Sequence, residues 1–123
     1  MHGLHLTADL RGCPAAAPLM TDPEALRRHC LAAVQRAGLT AVGEVFHPFP
    51  TPGGITGVVL LAESHLAVHT WPEIGGVTLD VYVCNLHGDN RVRAAELLAA
   101  LEAGFGATQA HHQRLDRGNA RVA

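Results

Sequence analysis

The chain of 123 residues contains no lysine, and all nine of its basic residues other than histidine are arginine. Enzymes that decarboxylate amino acids through pyridoxal phosphate hold that cofactor as a Schiff base on a lysine. This chain cannot provide that lysine, so pyridoxal phosphate chemistry of this kind is excluded. An electron sink for such a reaction would have to come from elsewhere, for example from a carbonyl made from the backbone itself.

Cysteine is also scarce, and the three cysteines at positions 13, 30 and 84 form no C-x-x-C pair. Neither a disulfide framework nor a structural zinc site is therefore indicated. No apolar run approaches the roughly 20 residues needed to span a bilayer, and the N-terminus lacks the layout of a signal peptide. We expect a cytoplasmic protein without membrane contact.

Charge and composition indicate one small globular domain. The formal net charge of −2 comes with no basic cluster, which argues against nucleic-acid binding. An apolar fraction of 48% is enough for a single core. We expect one domain over residues 1–113 and a loose C-terminal tail over residues 114–123.

Hydrophobic periodicity predicts both strands and helices. One helix should begin at Pro23, capped by Thr21 or Asp22, and stop at Gly38. A second should run from about Asn90 to Ala103, with its buried face formed by Val92, Ala95, Leu98 and Ala99. The prolines at 18 and 23 should keep the segment between them irregular. Strands are expected over residues 3–10, 39–46, 55–62, 77–84 and 106–113.

In the strand over residues 55–62, the residues that point to either face of the sheet are mainly apolar. Both faces should therefore be covered. Two helices can cover only one face of a sheet in so short a chain. A second copy is the simplest cover for the other face. We therefore predict an α+β fold, a two-layer α/β sandwich with a mainly antiparallel sheet, which dimerises to an αββα sandwich.

An acid, a hydroxyl and two imidazoles follow this apolar strand within seven residues. Ser64 stands beside the carbonyl of Glu63, with His65 and His69 as nearby bases. The structural alternative for Ser64 is an ordinary hydroxyl at a strand end. Strand alternation over residues 77–84 also places Cys84 on the polar face of its strand rather than among the apolar residues.

The same histidines allow a metal-site hypothesis. On a helix, His65 and His69 would lie about 6 Å apart and could share a zinc ion. On a strand they would lie about 13 Å apart, at about 3.3 Å per residue, which is too far for one ion. The neighbouring β-type sequence favours the strand, although the zinc hypothesis stays open at this point.

Four motifs in this order resemble the prokaryotic S-adenosylmethionine decarboxylase proenzymes, which carry a pyruvoyl group. In chain order, F-H-x-F stands at 46–49, an element that looks like G-[SV]-[ST]-G but has isoleucine at its second position at 54–57, E-S-H-x-x-x-H-T-W-P-E at 63–73 and D-x-[FY]-x-C at 80–84. The resemblance covers about residues 3 to 113, with one extra residue near Thr51–Gly54. The family is described as an αββα sandwich dimer, which agrees with the dimer predicted above.

The resemblance implies that the chain cuts itself between Glu63 and Ser64 into residues 1–63 and 64–123. Ser64 would become the pyruvoyl group, with no pyridoxal phosphate or metal required. This group would condense with the amine of a small-molecule substrate and accept electrons as carbon dioxide leaves. The implied roles are a base for His69, a processing hydroxyl for Thr56 and a proton donor for Cys84. From their places in the sequence, Phe49 is either a substrate contact or a core anchor for its loop, and Glu73 either contacts the substrate or caps the turn after Pro72.

Several positions depart from the family pattern and leave the substrate open. Ile74 and Gly76 stand where many relatives have tyrosine, Asn85 follows Cys84 in place of glycine, and Pro48 replaces a frequent arginine. S-adenosylmethionine is the leading substrate, and its product would supply aminopropyl groups for spermidine synthesis. Arginine or ornithine is the alternative. A second alternative is an unprocessed metal- or ligand-binding module.

Overall fold

The computed structural model describes residues 2–50 and 53–118, which form a single sheet with helices on one face. The strands are β1 (Gly3–Arg11), β2 (Ala41–Pro48), β3 (Ile55–Leu61), β4 (Ser64–Trp71), β5 (Gly76–Cys84) and β6 (Gln109–Arg117). The helices are α1 (Pro18–Thr21), α2 (Pro23–Arg36) and α3 (Arg91–Ala103), and a 3-10 turn covers Pro72–Ile74.

The strand order is β2-β3-β4-β5-β1-β6, and every neighbouring pair is antiparallel. Helices α2 and α3 pack on the same face, α2 against β2 and β3 and α3 against β1 and β5. The predicted α+β class with an antiparallel sheet is therefore confirmed. Within the described ranges, no helix is both long and apolar enough to cross a bilayer.

Helix α2 begins where the sequence predicted. The Asp22 carboxylate accepts hydrogen bonds from the backbone N–H groups of Glu24 (3.0 Å) and Ala25 (3.4 Å), which caps the first turn. Leu26 and Cys30 are fully buried against the sheet.

The segment between Pro18 and Pro23, predicted to be irregular, instead forms the one-turn helix α1, so that prediction was wrong. Proline fits the first position of a helix, and burial of Met20 with a hydrogen bond from Thr70 Oγ1 to its carbonyl (2.8 Å) holds the turn against the sheet.

The buried face of α3 differs from the prediction. Of the four residues expected inside, only Leu98 is buried, and Val92 is 70% exposed. The buried residues are Ala94, Leu97, Leu98 and Leu101. This helix carries alanine or leucine around much of its surface, so its sequence has no distinct apolar stripe from which to choose a face.

The last strand also lies further along the chain than predicted. Strand β6 begins at Gln109 and continues to Arg117, through four residues assigned to the tail. All nine of its residues are exposed at the sheet edge, so no hydrophobic alternation marks it. Backbone pairing with β1, from Arg11↔Gln109 to Gly3↔Arg117, defines it instead. Of the rest of the predicted tail, Gly118 follows the strand, and residues 119–123 lie outside the described residues.

In residues 2–50 and 53–118, no helix packs on the second face of the sheet. Strand β3 buries Val59 and Leu61 under the helices, whereas Leu60 on the opposite face is 51% exposed. Val45, beside Val58 on the neighbouring strand, is 70% exposed. The described part of one copy therefore covers only one of the two apolar faces that the sequence predicted to be covered. We call the uncovered side the open face.

Candidate active site

The connection between β3 and β4 is a two-residue bend formed by Ala62 and Glu63. The strands pair up to Leu61↔Ser64, so the chain reverses directly before the serine. Among the described residues, Glu63 is the one non-glycine with a positive φ, at 57°. The left-handed region costs a residue with a Cβ roughly 1–2 kcal/mol, and such strain often lies at functional sites. The peptide bond after Glu63 is thus held in a strained turn.

Ser64 and Cys84 meet at this end of the sheet. The Ser64 Oγ accepts a hydrogen bond from the backbone N–H of Cys84 at 3.2 Å, and both residues are half-buried. By contrast, Cys30 is buried in the core, and that burial raises the pKa of its thiol to about 12. Cys13 is also buried, so Cys84 is the most exposed of the three cysteines, and it lies on the polar face that the sequence predicted.

A second group of predicted residues lies at the other end of β4. Thr56 and His69 face each other across β3 and β4, and a hydrogen bond of 3.2 Å joins Thr56 Oγ1 to His69 Nδ1. The His69 ring also stacks on Trp71, with ring centroids 5.7 Å apart and an interplanar angle of 17°. These contacts fix both the position and the orientation of the imidazole.

Phe49 and Glu73 join this second group around a cavity of about 310 Å³, which is also lined by Thr56, His69 and Trp71. Phe49 is 49% exposed, and its backbone N–H donates to the Gly54 carbonyl at 2.8 Å. This bond closes the loop that carries the ring. The expected rigid loop includes Thr51 and Pro52, which lie outside the described residues.

The predicted site residues therefore form two clusters rather than one. The bend cluster contains Glu63, Ser64 and Cys84, and the aromatic cluster contains Phe49, Thr56, His69 and Glu73. Five residues of β4 separate Ser64 from His69, or about 16 Å at about 3.3 Å per residue. Within one copy, His69 is thus too far from Ser64 to act as its base.

The strand assignment also decides the zinc hypothesis for His65 and His69. Both lie on β4 rather than on a helix, which places them about 13 Å apart. That separation is too great for one ion, so this hypothesis was wrong in its geometry. Within the described ranges, no group of three or more histidine, cysteine or acidic side chains is arranged to hold a metal.

Further residues line a cavity beside the bend cluster; the sequence singled out His65 among them but indicated no role for Tyr82 or Arg117. A cavity of about 750 Å³ beside Ser64 is lined by His65, Tyr82 and Arg117 among others. His65 stacks on Tyr82 with ring centroids 5.7 Å apart. The alternation that placed Cys84 on the open face also placed Tyr82 there, so the position of Tyr82 near this site could have been predicted from the sequence. Arg117 could not, because it fell in the predicted tail.

A polar pair lies next to these rings on the open face. His5 Nε2 and Asp80 Oδ1 are 3.0 Å apart, and the two side chains are only partly exposed. His5 also meets Tyr82 edge-on, with ring centroids 6.4 Å apart. The open face is therefore polar around β1 and β5 and apolar around β2 and β3.

This fold is that of a known class of protein. The family model described as S-adenosylmethionine decarboxylase matches residues 4–118. The chain belongs to the S-adenosylmethionine decarboxylase family.

Individual relatives agree with this assignment. The chain is 40% identical to the S-adenosylmethionine decarboxylase proenzyme of Archaeoglobus fulgidus, over 94% of this chain and 97% of the relative. It is 37% identical to the proenzyme of the same name from Acidithiobacillus ferrooxidans, over 94% and 82%. The crystal structure of the adenosylmethionine decarboxylase from Aquifex aeolicus matches with a TM-score of 0.83 at 37% identity, over 94% and 90%.

Proposed function

We propose that this chain is a self-processing, pyruvoyl-dependent decarboxylase of S-adenosylmethionine. The observation that carries the proposal is the strained Glu63 directly before Ser64, whose hydroxyl lies beside Cys84. The relatives named as proenzymes support a chain that must be cut before it acts. Placement of a nucleophile, a strained acyl group and a thiol at one bend suits both processing and turnover.

Processing begins at the bend. The Ser64 Oγ attacks the carbonyl carbon of Glu63, the C–N bond breaks, and an ester replaces the amide. A base then removes the Cα proton of Ser64, and the Cβ–Oγ bond breaks, which frees Glu63 as a carboxylate. The dehydroalanine left at position 64 takes up one water and releases ammonia, which leaves the pyruvoyl group. Serine is a weak nucleophile by itself, so close positioning at the turn has to supply much of the rate.

The base in this scheme is His69, supplied by a second copy of the chain. Within one copy His69 lies about 16 Å along β4 from Ser64, and the open face exposes apolar side chains that a second sheet would cover. A two-fold axis perpendicular to β4 reverses the strand direction of the partner. In such a dimer, the aromatic cluster of each copy would lie over the bend cluster of the other copy, so the dimer would contain two equivalent sites.

Turnover would use both clusters. The pyruvoyl ketone supplies the electron sink that loss of carbon dioxide from an amino acid requires. Cys84, beside it, returns a proton to the substrate carbon as a general acid. The cavity of the aromatic cluster offers Phe49 as a stacking surface for adenine, and Glu73 as a negative group for the positive sulfonium.

The names of the relatives favour S-adenosylmethionine over arginine or ornithine. The product would then be the aminopropyl donor for spermidine synthesis. The cytoplasmic location stays a prediction from the sequence.

Mass spectrometry of the purified protein tests the proposal first. We expect two fragments divided between Glu63 and Ser64, with the second lighter by one ammonia than simple hydrolysis gives. The matched control, Ser64→Ala, should stay one chain. Incubation with carboxyl-labelled S-adenosylmethionine, arginine and ornithine should release labelled carbon dioxide from the first alone. A wild-type chain that stays uncut on prolonged incubation would overturn the proposal.

A further inference from the structure

We propose that Arg117 receives the new α-carboxylate that self-cleavage creates at Glu63, and holds the cut end away from Ser64. This inference rests on the proposed processing reaction. It assigns a role to Arg117, a residue of the edge strand β6 that belongs to none of the sequence motifs. Arg117 would act as a positioning residue after the bond is broken and would leave the cleavage step itself unchanged.

Cleavage changes the charge of the bend. Before it, Glu63 contributes one carboxylate, whose Oε1 lies 3.7 Å from His87 Nε2. Afterwards, Glu63 carries a second carboxylate on its backbone, formed from its carbonyl carbon and the former Ser64 Oγ. Two adjacent negative charges at the edge of a cavity are unfavourable unless a cation lies close to them.

Arg117 lines that same cavity with Glu63 and Ser64. Its guanidinium carbon lies 5.6 Å from the centroid of the Tyr82 ring, a cation–π contact. The described ion pairs of arginine involve Arg27, Arg91 and Arg114 rather than Arg117. Its charge is therefore available, among the described residues, to a carboxylate that the uncut chain does not yet possess.

Glycine at position 3 makes this placement possible. A Cβ there would lie 2.4 Å from the Tyr82 hydroxyl oxygen, so the absence of a side chain lets the Tyr82 ring lie across β1. Gly3 pairs with Cys84 on one side and with Arg117 on the other. The ring thereby fills the space between the bend cluster and Arg117 and supports the guanidinium.

The cut end can reach this cation. Strands β4 and β6 are three strand spacings apart, or about 14 Å at about 4.8 Å each. The freed residues Ala62 and Glu63 can extend by up to about 3.5 Å each, and the arginine side chain covers the remainder. Once its bond to Ser64 is broken, Glu63 can leave the left-handed region, so its movement also releases strain. The Arg–carboxylate pair can then form with two parallel hydrogen bonds.

The test compares the effect of Arg117→Gln on thermal unfolding in cut and uncut protein. In the cleaved protein we expect Tm to fall by about 5 °C, since a charge-assisted pair is lost. In the uncleavable Ser64→Ala background the same change should move Tm by less than about 2 °C, because the new carboxylate is absent. The extent of cleavage, measured by mass, should be the same with and without Arg117→Gln.

Arg114→Gln is the matched control. Arg114 lies on the same strand and already pairs with Asp116, so its loss should affect cut and uncut protein equally. Equal Tm shifts for Arg117→Gln in both backgrounds would overturn the proposal, as would failure of that variant to cleave. A raised KM with equal Tm shifts would assign Arg117 to the substrate carboxylate instead. An uncut wild-type chain, by contrast, would remove the proposed function itself.

Discussion

The two ends of strand β4 differ in what they can do. At the Ser64 end, a strained bend presents a hydroxyl beside Cys84, and the cavity there also contains Arg117. At the His69 end, a hydrogen-bonded imidazole lies among aromatic rings and a carboxylate. In the proposed reaction, the first end supplies the nucleophile and the acyl group that it attacks, and the second supplies the base and the walls of the ligand site.

This separation suggests why the uncut chain can fold before it reacts. A chain that held Ser64, the strained carbonyl and a base together could begin to cut itself while still folding. With the proposed base about 16 Å away along the strand, the reaction would wait until a second open face is docked. Assembly and processing would then be linked, and cleavage would depend on protein concentration.

Mixing two inactive variants should give the largest effect. Ser64→Ala lacks the nucleophile but keeps His69, whereas His69→Ala lacks the proposed base but keeps Ser64. Neither should cut itself alone. A mixture refolded together should cut the His69→Ala chain, up to about half of it by random pairing, and leave the Ser64→Ala chain whole. Fragment masses identify which chain was cut.

The control for this experiment is each variant refolded alone at the same concentration. Cleavage of His69→Ala by itself would show that another base acts within the chain. A mixture in which nothing is cut, although hybrid dimers form, would place the complete site within one copy.

Cys84→Ala should separate turnover from processing. Without its thiol the substrate carbon loses its proton donor, so kcat should fall by about 100-fold or more, while fragment masses show normal cleavage. The matched control is Cys30→Ala. Cys30 is fully buried in the core, so its loss should lower Tm but leave kcat per cleaved chain nearly unchanged. An equal loss of kcat in both variants would contradict a specific role for Cys84.

Much of this arrangement could be predicted from the sequence, because strong local signals determine it. The cap at Asp22 determines where helix α2 begins. The alternation over β5 and the apolar run of β3 each determine a strand and the faces that its residues occupy. The same alternation placed Cys84 on the open face. Motif spacing then marked the residues of both clusters.

What escaped prediction depends on contacts that no local pattern records. Strand β6 has no apolar residue that is buried, and pairing with β1 alone defines it. Arg117 was therefore assigned to a tail instead of a cavity wall. The division of the site into two clusters was also missed. The spacing of a motif does not show whether Ser64 and His69, five residues apart, lie close together or far apart in the fold.

Thr56→Val should slow processing by about tenfold. This change keeps the shape of the side chain but removes the hydroxyl that bonds to His69 Nδ1, and a hydrogen bond to such a group contributes about 1 kcal/mol. The control is Thr78→Val, because Thr78 faces His69 from the other neighbouring strand, whereas the described hydrogen bond of His69 goes to Thr56. Time courses of cleavage compare the two. Equal slowing in both would show that packing, not the hydroxyl, matters.

Glu63→Gly should have the smallest effect, and it isolates the strain of the bend. Glycine adopts a φ of 57° without a steric penalty but loses more entropy on folding, so the net gain is less than the roughly 1–2 kcal/mol of strain removed. In the uncleavable Ser64→Ala background, Tm should rise by about 2 °C. Glu73→Gly, in the exposed turn after β4, has no left-handed strain to relieve and should lower Tm. If Glu63→Gly lowers Tm as well, the bend is relaxed as it stands, and strain at the scissile bond contributes nothing to cleavage.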